Sequence, residues 1–318
     1  MQDTVPRAGL SALHARLEGV GPSSWEDPAL VQVWFRCADY VLPAADLAVF
    51  TLGALPRDPE RAAALDAFAA AVGEVLDGRP LPTREVVAAL PPVLALAGQS
   101  FGRDAEHALS MLLRGASVAG RYRIRWDART VTVIPAERPD TDPEATRLEL
   151  ARRFLGWHGP ATDAVFARWA GVSRRDAAET WARLAPELVP VDLEGRARQL
   201  LARDEEALAG AQPPPGVRFL PMGDPLWAVD RGLVGWDVVG VPAPTCDERG
   251  TAITSRLVNS LGGRILVDGR IEGAWGREQA RMAIHLWRPA AVDVDRVLAE
   301  AAGFAGPIGA PIRVRRLN

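Results

Sequence analysis

The stretch Thr146 to Ala202, TRLELARRFLGWHGPATDAVFARWAGVSRRDAAETWARLAPELVPVDLEGRARQLLA, decides the fold. Apolar residues recur at helical spacing through TRLELARRFLGWH, again through DAVFARWAG, and a third time through SRRDAAETWARLAP, where Ser173 stands as an N-cap. Ala170-Gly171-Val172-Ser173 between the second and third segments is a Gly-containing turn of the kind that joins the helices of a helix-turn-helix. LVPVDL and ARQLLA then flank Glu194-Gly195-Arg196 as a β-hairpin. Three helices followed by a hairpin describe a winged helix, expected here over residues 143–205.

The same rhythm precedes it. RAAALDAFAAAVGEVLDG reads as an Ala-rich helix ended by Gly78, and Thr83 to Leu90 as a helix under a Thr83 N-cap. A further helix near Arg103 to Arg114 leads into RYRIRWDARTVTVIP, a hairpin turning around Asp127-Ala128-Arg129. This gives a second winged-helix unit over 57–136. Ahead of it, the sequence predicts helices at Leu10–Leu17 and Pro28–Trp34, an extended stretch over Arg36–Leu42 and a helix opening at Pro43, with Pro56 and Pro59 closing a first unit over 1–56. Glu137 to Pro143 is a polar linker. The Pro-rich QPPPG at 212–216 opens a β-rich portion over 216–318, in which Asp268-Gly269 is a hairpin turn, Val292 to Ala302 a helix and PIRVRRLN a last strand. The fold class is therefore α+β: tandem winged-helix units, each helix-turn-helix plus hairpin, with a C-terminal β-rich portion.

Composition narrows the chemistry. The chain has 318 residues, 48% of them apolar, enough for several small cores. No run approaches the ~18–20 apolar residues of a membrane helix, and MQDTVPRAG resembles no secretory signal, so a cytoplasmic protein without a membrane partner is expected. All 37 basic residues are Arg. With no Lys, a Schiff base from a side-chain amine, a Gly-Lys-Ser/Thr phosphate loop and a lysine general base are excluded. Cys37 and Cys246 are too few for a disulfide framework or a Cys-rich zinc site, and His14, His107, His158 and His285 are scattered, so no metal or cofactor is expected. The net charge of -3 argues against nonspecific coating of nucleic acid, which throws weight on local clusters.

Two clusters stand out. Arg121, Arg123, Arg125 and Arg129 share the second unit's hairpin, where alternation puts the first three on one face. From 103 to 129 six Arg face only Asp104, Glu106 and Asp127. Ser173, Arg174 and Arg175 open the third helix of the winged helix, a position that meets phosphates or bases in helix-turn-helix proteins. At this point each cluster is read equally as a solvated face or as a DNA contact.

Several phrases, in order and nearly along the whole chain, resemble the winged-helix DNA-binding family that contains the AlkZ and YcaQ DNA glycosylases. LELARRFLGWHGPAT resembles its central stretch, FLPMGDPLWAVDRG its Leu-Pro-x-x-Asp segment, ILVDGRIEGAW its Val-Asp-Gly-x-x-x-Gly-x-Trp hairpin, and VQVWFRCADYVLPAADL its Arg-Gly-Thr-Leu-His-Leu-Val-x-x-x-Asp-Leu. The resemblance implies binding of double-stranded DNA, with Arg36 among the contacts, and hydrolysis of the bond between a bulky or alkylated base and its sugar, by a monomer without lyase activity. The family's Gln-x-Gln or Gln-x-Asp motif falls on Gln2-Asp3-Thr4, which makes Gln2, Asp3 and Thr4 the candidate catalytic residues. There are departures: Arg36-Cys37-Ala38-Asp39-Tyr40 lacks the family's glycine and histidine, and only the first glutamine of the catalytic motif is kept. A helical segment usually precedes that motif, so the first unit is expected to be shortened at its N-terminus or Met1 not to be the native start. The departures keep two alternatives open, a noncatalytic winged-helix regulator and a protein-binding scaffold.

Overall fold

A computed structural model describes residues 3, 8–36, 38–91, 105–127, 129–228, 244–254 and 261–317. Gln2, Thr4, Cys37, Arg103 and Ala128, each named above, lie outside the described residues. The chain forms two compact units, one of Pro28–Leu208 and one that joins Met1–Asp27 to Ala209–Asn318. The segment expected as a first unit, 1–56, is thus divided between them. It opens with helix α1 (Ala8–His14), which belongs to the second of these units.

In the unit of Pro28–Leu208, β1 (Leu30–Phe35) and β2 (Ala38–Pro43) pair antiparallel from Leu30↔Pro43 to Phe35↔Ala38. The helix expected over Pro28–Trp34 is therefore a strand. Val31 and Val33 are β-branched and Trp34 and Phe35 aromatic, residues that favour a pleated surface, and their cross-strand partners complete the ladder. The chain then makes α2 (Leu47–Thr51) and α3 (Pro59–Leu76). Pro59 opens this helix at its first position, where a missing N–H costs nothing, and Asp58 accepts from Arg61 N at 2.8 Å as the cap. Asp77 and Gly78 end it in the left-handed region. Next come β3 (Leu81–Pro82), α4 (Thr83–Ala89), α5 (Ala105–Ala116), β4 (Tyr122–Trp126) and β5 (Val131–Pro135), with sheet order β3-β5-β4. Thr83 is not the cap of α4: it is a helical residue whose hydroxyl donates to the Val131 carbonyl at 3.0 Å, tying helix to sheet. Phe68, Val72, Leu76, Val86, Leu113, Tyr122, Ile124 and Val133 form the core beneath.

The third winged helix is as its sequence predicts. Helices α6 (Pro143–His158), α7 (Asp163–Ala170) and α8 (Arg174–Leu184) are capped by Asp142, Thr162 and Ser173, and β6 (Leu188–Leu193) pairs with β7 (Arg196–Leu201). Glu194 and Gly195 both have positive φ, as a two-residue hairpin turn demands. Ala161 and Gln199 exchange both backbone hydrogen bonds, at 3.0 and 2.9 Å, which adds a third partner to the wing. Phe154, Phe166, Trp169 and Trp181 fill the interior. A short helix, α9 (Glu205–Ala209), follows.

The other unit is built on a five-stranded sheet of order β12-β11-β10-β9-β8, from β8 (Val217–Leu220), β9 (Gly263–Val267), β10 (Arg270–Glu278), β11 (Arg281–Leu286) and β12 (Arg313–Leu317). Helices α10 (Val294–Gly303) and α11 (Ala305–Ile308) lie between the last two strands in sequence, and Val297, Ala301 and Phe304 pack on Phe219, Ile265, Trp275 and Ile284. Gly273 has no room for a side chain, since a Cβ there would meet the His285 carbonyl at 2.5 Å. That close approach accounts for the glycine two places before Trp275 in the hairpin.

Candidate functional site

Asp3 is 2% exposed, and its Oδ1 accepts from Gly9 N at 2.8 Å. The carboxylate thus satisfies one of the N–H groups that a helix leaves open at its start, and fastens Asp3 to α1. At the other end of the same helix, Arg16 Nη1 and Nη2 donate to Asp224 Oδ2 and Oδ1, each at 2.7 Å, and the Asp224 side chain is fully buried. Asp224 Oδ1 also accepts from Leu226 N at 3.0 Å. Local backbone bonding therefore explains only part of this residue: its main partner, Arg16, is 208 positions away and carried no signal in the sequence. Asp268 behaves similarly. It turns the β9–β10 hairpin, accepts from Gly216 N at 2.7 Å and meets Arg296 at 3.2 Å, and the Gly216 and Arg296 contacts hold its carboxyl below the usual carboxylate range. His285 is buried, which lowers its pKa.

In the unit of Pro28–Leu208 the expected basic residues fall in two places. Tyr122 and Ile124 point into the core, which leaves Arg121, Arg123 and Arg125 on the opposite face of β4. They are not equivalent. Arg121 Nε and Nη2 fork onto the Asp66 carboxylate at 2.8 and 2.9 Å, and Arg138 Nη1 reaches the same group at 2.8 Å. These contacts, led by the Arg121 hydrogen bond, hold Asp66 below its ordinary pKa. Arg123 is half-buried, and burial together with the neighbouring Arg125 charge lowers its pKa. Arg125 and Arg129 are exposed. Asp127 Oδ1 accepts from Arg129 N and Thr130 N at 2.9 and 2.8 Å, which shapes the turn.

Arg36 occupies the tip of the β1–β2 hairpin with a φ of 54°. Its guanidinium lies over the rings of Tyr40 and Trp169, at 5.9 and 6.0 Å from their centroids, an arrangement favoured for a cation over an aromatic face. Gly171, in the left-handed conformation that ends α7, sits beside it, two residues ahead of Ser173. The hairpin tip and the helix-turn-helix turn are thereby brought together. Ser173 Oγ accepts from Asp176 N at 3.0 Å. Arg175 is exposed and pairs with Glu179 at 3.0 Å, whereas Arg174 is exposed and has no carboxylate partner among the described residues.

Behind α8 lies a charge network that spacing along the sequence does not signal. Glu144 takes Arg57 on both oxygens, at 2.5 and 2.6 Å, and also Arg147 at 2.8 Å and Arg183 at 3.0 Å. Arg57 continues to Thr180 Oγ1 at 3.2 Å, and its backbone N–H to Asp176 at 3.5 Å. Arg147 is 3% exposed and donates to the Leu55 carbonyl. The network ties the third helix of the winged helix at three residues along its length, Asp176, Thr180 and Arg183.

Winged-helix units with an arginine-bearing hairpin and an open helix N-terminus define a class of nucleic-acid-binding architecture. The chain belongs to the DNA glycosylase AlkZ-like family, which it matches over residues 1–306. An interstrand DNA cross-link repair glycosylase of Streptomyces sahachiroi is 29% identical over 141 residues, 42% of this chain and 35% of that protein, so the match spans about a third of the curated relative's length. The fold is similar to the solved structure of Streptomyces sahachiroi DNA glycosylase AlkZ, with a TM-score of 0.68 and 21% identity, covering 99% of this chain and 90% of that one. Among the described residues no helix is long and apolar enough to cross a membrane.

Proposed function

We propose that this protein is a monofunctional DNA glycosylase that binds double-stranded DNA and hydrolyses the N-glycosidic bond of a bulky or alkylated base. Membership of the DNA glycosylase AlkZ-like family over residues 1–306 is the observation that carries this reading. In the reaction, a water oxygen bonds to C1′ of the deoxyribose as the bond from C1′ to the base nitrogen breaks. The base leaves with that electron pair, and the proton the water gives up ends on the departing base or, where an N-alkylated base starts cationic and leaves neutral, on solvent. The sugar passes through a cationic, oxocarbenium-like state, which side-chain oxygens stabilise electrostatically. Gln2 accepts a hydrogen bond from the water and orients it. Asp3 Oδ1 is committed to Gly9 N, so Asp3 holds the segment in place, with Thr4 assisting Gln2. The chain has no Lys, so the product is an abasic site without strand scission.

On the DNA side, Arg36, Arg123, Arg125, Arg129, Ser173, Arg174 and Arg175 contact the phosphate backbone. The winged-helix segments 57–136 and 143–205 face the duplex, and 216–318 with the N-terminal 27 residues carries the catalytic segment. The protein acts as a monomer in the cytoplasm. The test is release of free base from a duplex containing an N-alkylated purine, with strand breaks scored before and after alkali. Gln2→Ala should slow release by ~100-fold or more with nearly unchanged duplex affinity, since the group acts in the transition state. A native chain that binds duplex and releases no base would instead establish a noncatalytic winged-helix protein, the reading favoured by Cys37 and Tyr40 where the family has glycine and histidine.

A further inference from the structure

One row of residues crosses the five-stranded sheet in register. Leu220 pairs with Arg264, Arg264 with Ala274, Ala274 with His285, and His285 with Leu317. Residues directly opposed across a ladder share a face of the sheet. Ile265, Trp275 and Ile284, each one position along its strand, point into the core beneath α10, so the row lies on the face away from that helix. Arg264 and His285 therefore stand on one face with Cα atoms about 10 Å apart, at ~4.8 Å per strand, and only the methyl group of Ala274 between them.

Neither side chain is satisfied by its surroundings. His285 is 8% exposed and makes no hydrogen bond or ion pair among the described residues. Arg264 is half-buried, and its Nη1 touches the carbonyls of Leu261, Gly262 and Gly263 at 3.5, 3.4 and 3.1 Å, the first two at the outer edge of hydrogen-bond range. Its Nε and Nη2 have no partner among the described residues. Burial lowers the pKa of both groups. Ionisable groups withdrawn from water are normally paired, because an unpaired one forfeits its hydration without return. Elsewhere this unit follows the rule: Asp224 holds Arg16, Asp247 holds Arg315, Asp268 holds Arg296 and Glu272 holds Arg288. At Arg264 no such carboxylate stands among the described residues, and the row offers hydrogen-bond donors from both sides of Ala274. The chemistry that fits two donors, one of them cationic, is an oxyanion with several acceptor oxygens.

We propose that Arg264 and His285 bind a phosphate group over Ala274, and that this phosphate belongs to a DNA strand. The guanidinium supplies a two-pronged contact and the imidazole N–H a further donor. The choice of DNA as the source rests on the glycosylase reading, since a chain of the DNA glycosylase AlkZ-like family meets phosphate as the diester of a strand. The site lies in the same unit as Asp3 and α1, so it anchors the strand on the unit that carries the catalytic segment. A contact to an unreacting phosphate persists from substrate to transition state, which makes these two residues positioning residues: their loss raises KM and leaves kcat alone.

The experiment follows the imidazole resonances of the full chain, made with isotope-labelled histidine, at constant ionic strength. Inorganic phosphate is the first probe, and a duplex with an N-alkylated purine and no terminal phosphates is the second. Each should shift the His285 resonances saturably, and inorganic phosphate should leave those of His14, His107 and His158 in place. Arg264→Gln should weaken phosphate binding about 10-fold or more and raise KM for base release about 10-fold, with kcat within about twofold of the parent. Arg264→Lys keeps the charge without the fork and should fall between the two. His285 resonances that ignore both probes overturn the site, and so does an Arg264→Gln chain with the parent's affinity for both probes. A shift with inorganic phosphate and none with duplex sustains the oxyanion site and overturns DNA as its source; a shift with duplex that Arg264→Gln abolishes sustains both. A shift with duplex in a parent that releases no base sustains the site and overturns the glycosylase reading, and base release without any shift at His285 does the reverse.

Discussion

Arg121 shows how far the partners of a residue outweigh its place in a pattern. Alternation in RYRIRW sets it on the basic face of the hairpin, yet its guanidinium is held by an Asp66 carboxylate 55 residues away. Arg121→Ala should therefore lower stability by about 1 kcal/mol or less, as half-exposed pairs do, and leave the salt dependence of DNA binding nearly unchanged. Arg125→Ala and Arg129→Ala should each flatten the slope of log affinity against log salt by about one unit, measured by fluorescence anisotropy across a salt series. Asp39 is the opposite case. It is 6% exposed, its Oδ1 has no hydrogen-bond partner among the described residues, and burial raises its pKa while the Arg114 guanidinium draws it back down. A carboxyl whose pKa rises on folding contributes stability that is complete below the unfolded pKa and is lost as pH rises through the folded one. Asp39→Asn cannot ionise, so it should melt about 2–4 °C above the parent at pH 8, with the gap closing toward pH 4. A gap that widens on acidification would contradict the assignment.

At the scale of elements, α6, α7 and α8 follow their sequence closely because cap, apolar spacing and breaker agree at each end: Asp142, Thr162 and Ser173 accept from the first turns, and Gly171 turns left-handed after Ala170. The helix expected over Pro28–Trp34 is a strand because so short a stretch carries too few apolar positions to separate periods of 2 and 3.6, and pairing of Leu30–Phe35 with β2 decides the matter. What keeps α8 in place is not in its own sequence at all. Glu144 gathers Arg57, Arg147 and Arg183, and its loss would leave Arg147 buried without a carboxylate. Glu144→Ala should cost about 3 kcal/mol, the penalty for removing one member of a buried charge cluster, and should appear as a lower denaturant midpoint at unchanged slope. Ser173→Ala should cost about 1 kcal/mol in the same measurement, the usual loss of an N-cap.

For the whole molecule, the division into Pro28–Leu208 and a discontinuous second unit has a direct consequence. The Pro-rich segment 212–215 is exposed, so a protease site inserted there can be cut without disturbing a core. The two fragments should remain associated in native buffer and separate only on denaturation. The residues just after α1 lie with the C-terminal fragment through the Arg16–Asp224 pair and the contact of Ala15 with Leu220 and Leu266. Size exclusion of the cut protein reads the outcome, and fragments that part without denaturant would count against the assignment of Met1–Asp27. The sequence by itself determined the winged helix of 143–205, the hairpins at Glu194-Gly195 and Asp268-Gly269, and the absence of lysine chemistry, because capping, turn conformation and residue type act within a few positions along the chain. Only the tertiary structure decided that Arg121 is held by Asp66, that Asp224 clamps Arg16 beneath an exposed Met222, and that the first 27 residues belong with the last 110. Those outcomes depend on which distant charges and apolar faces the folded chain brings within a few ångströms, and spacing along the sequence carries no record of that distance.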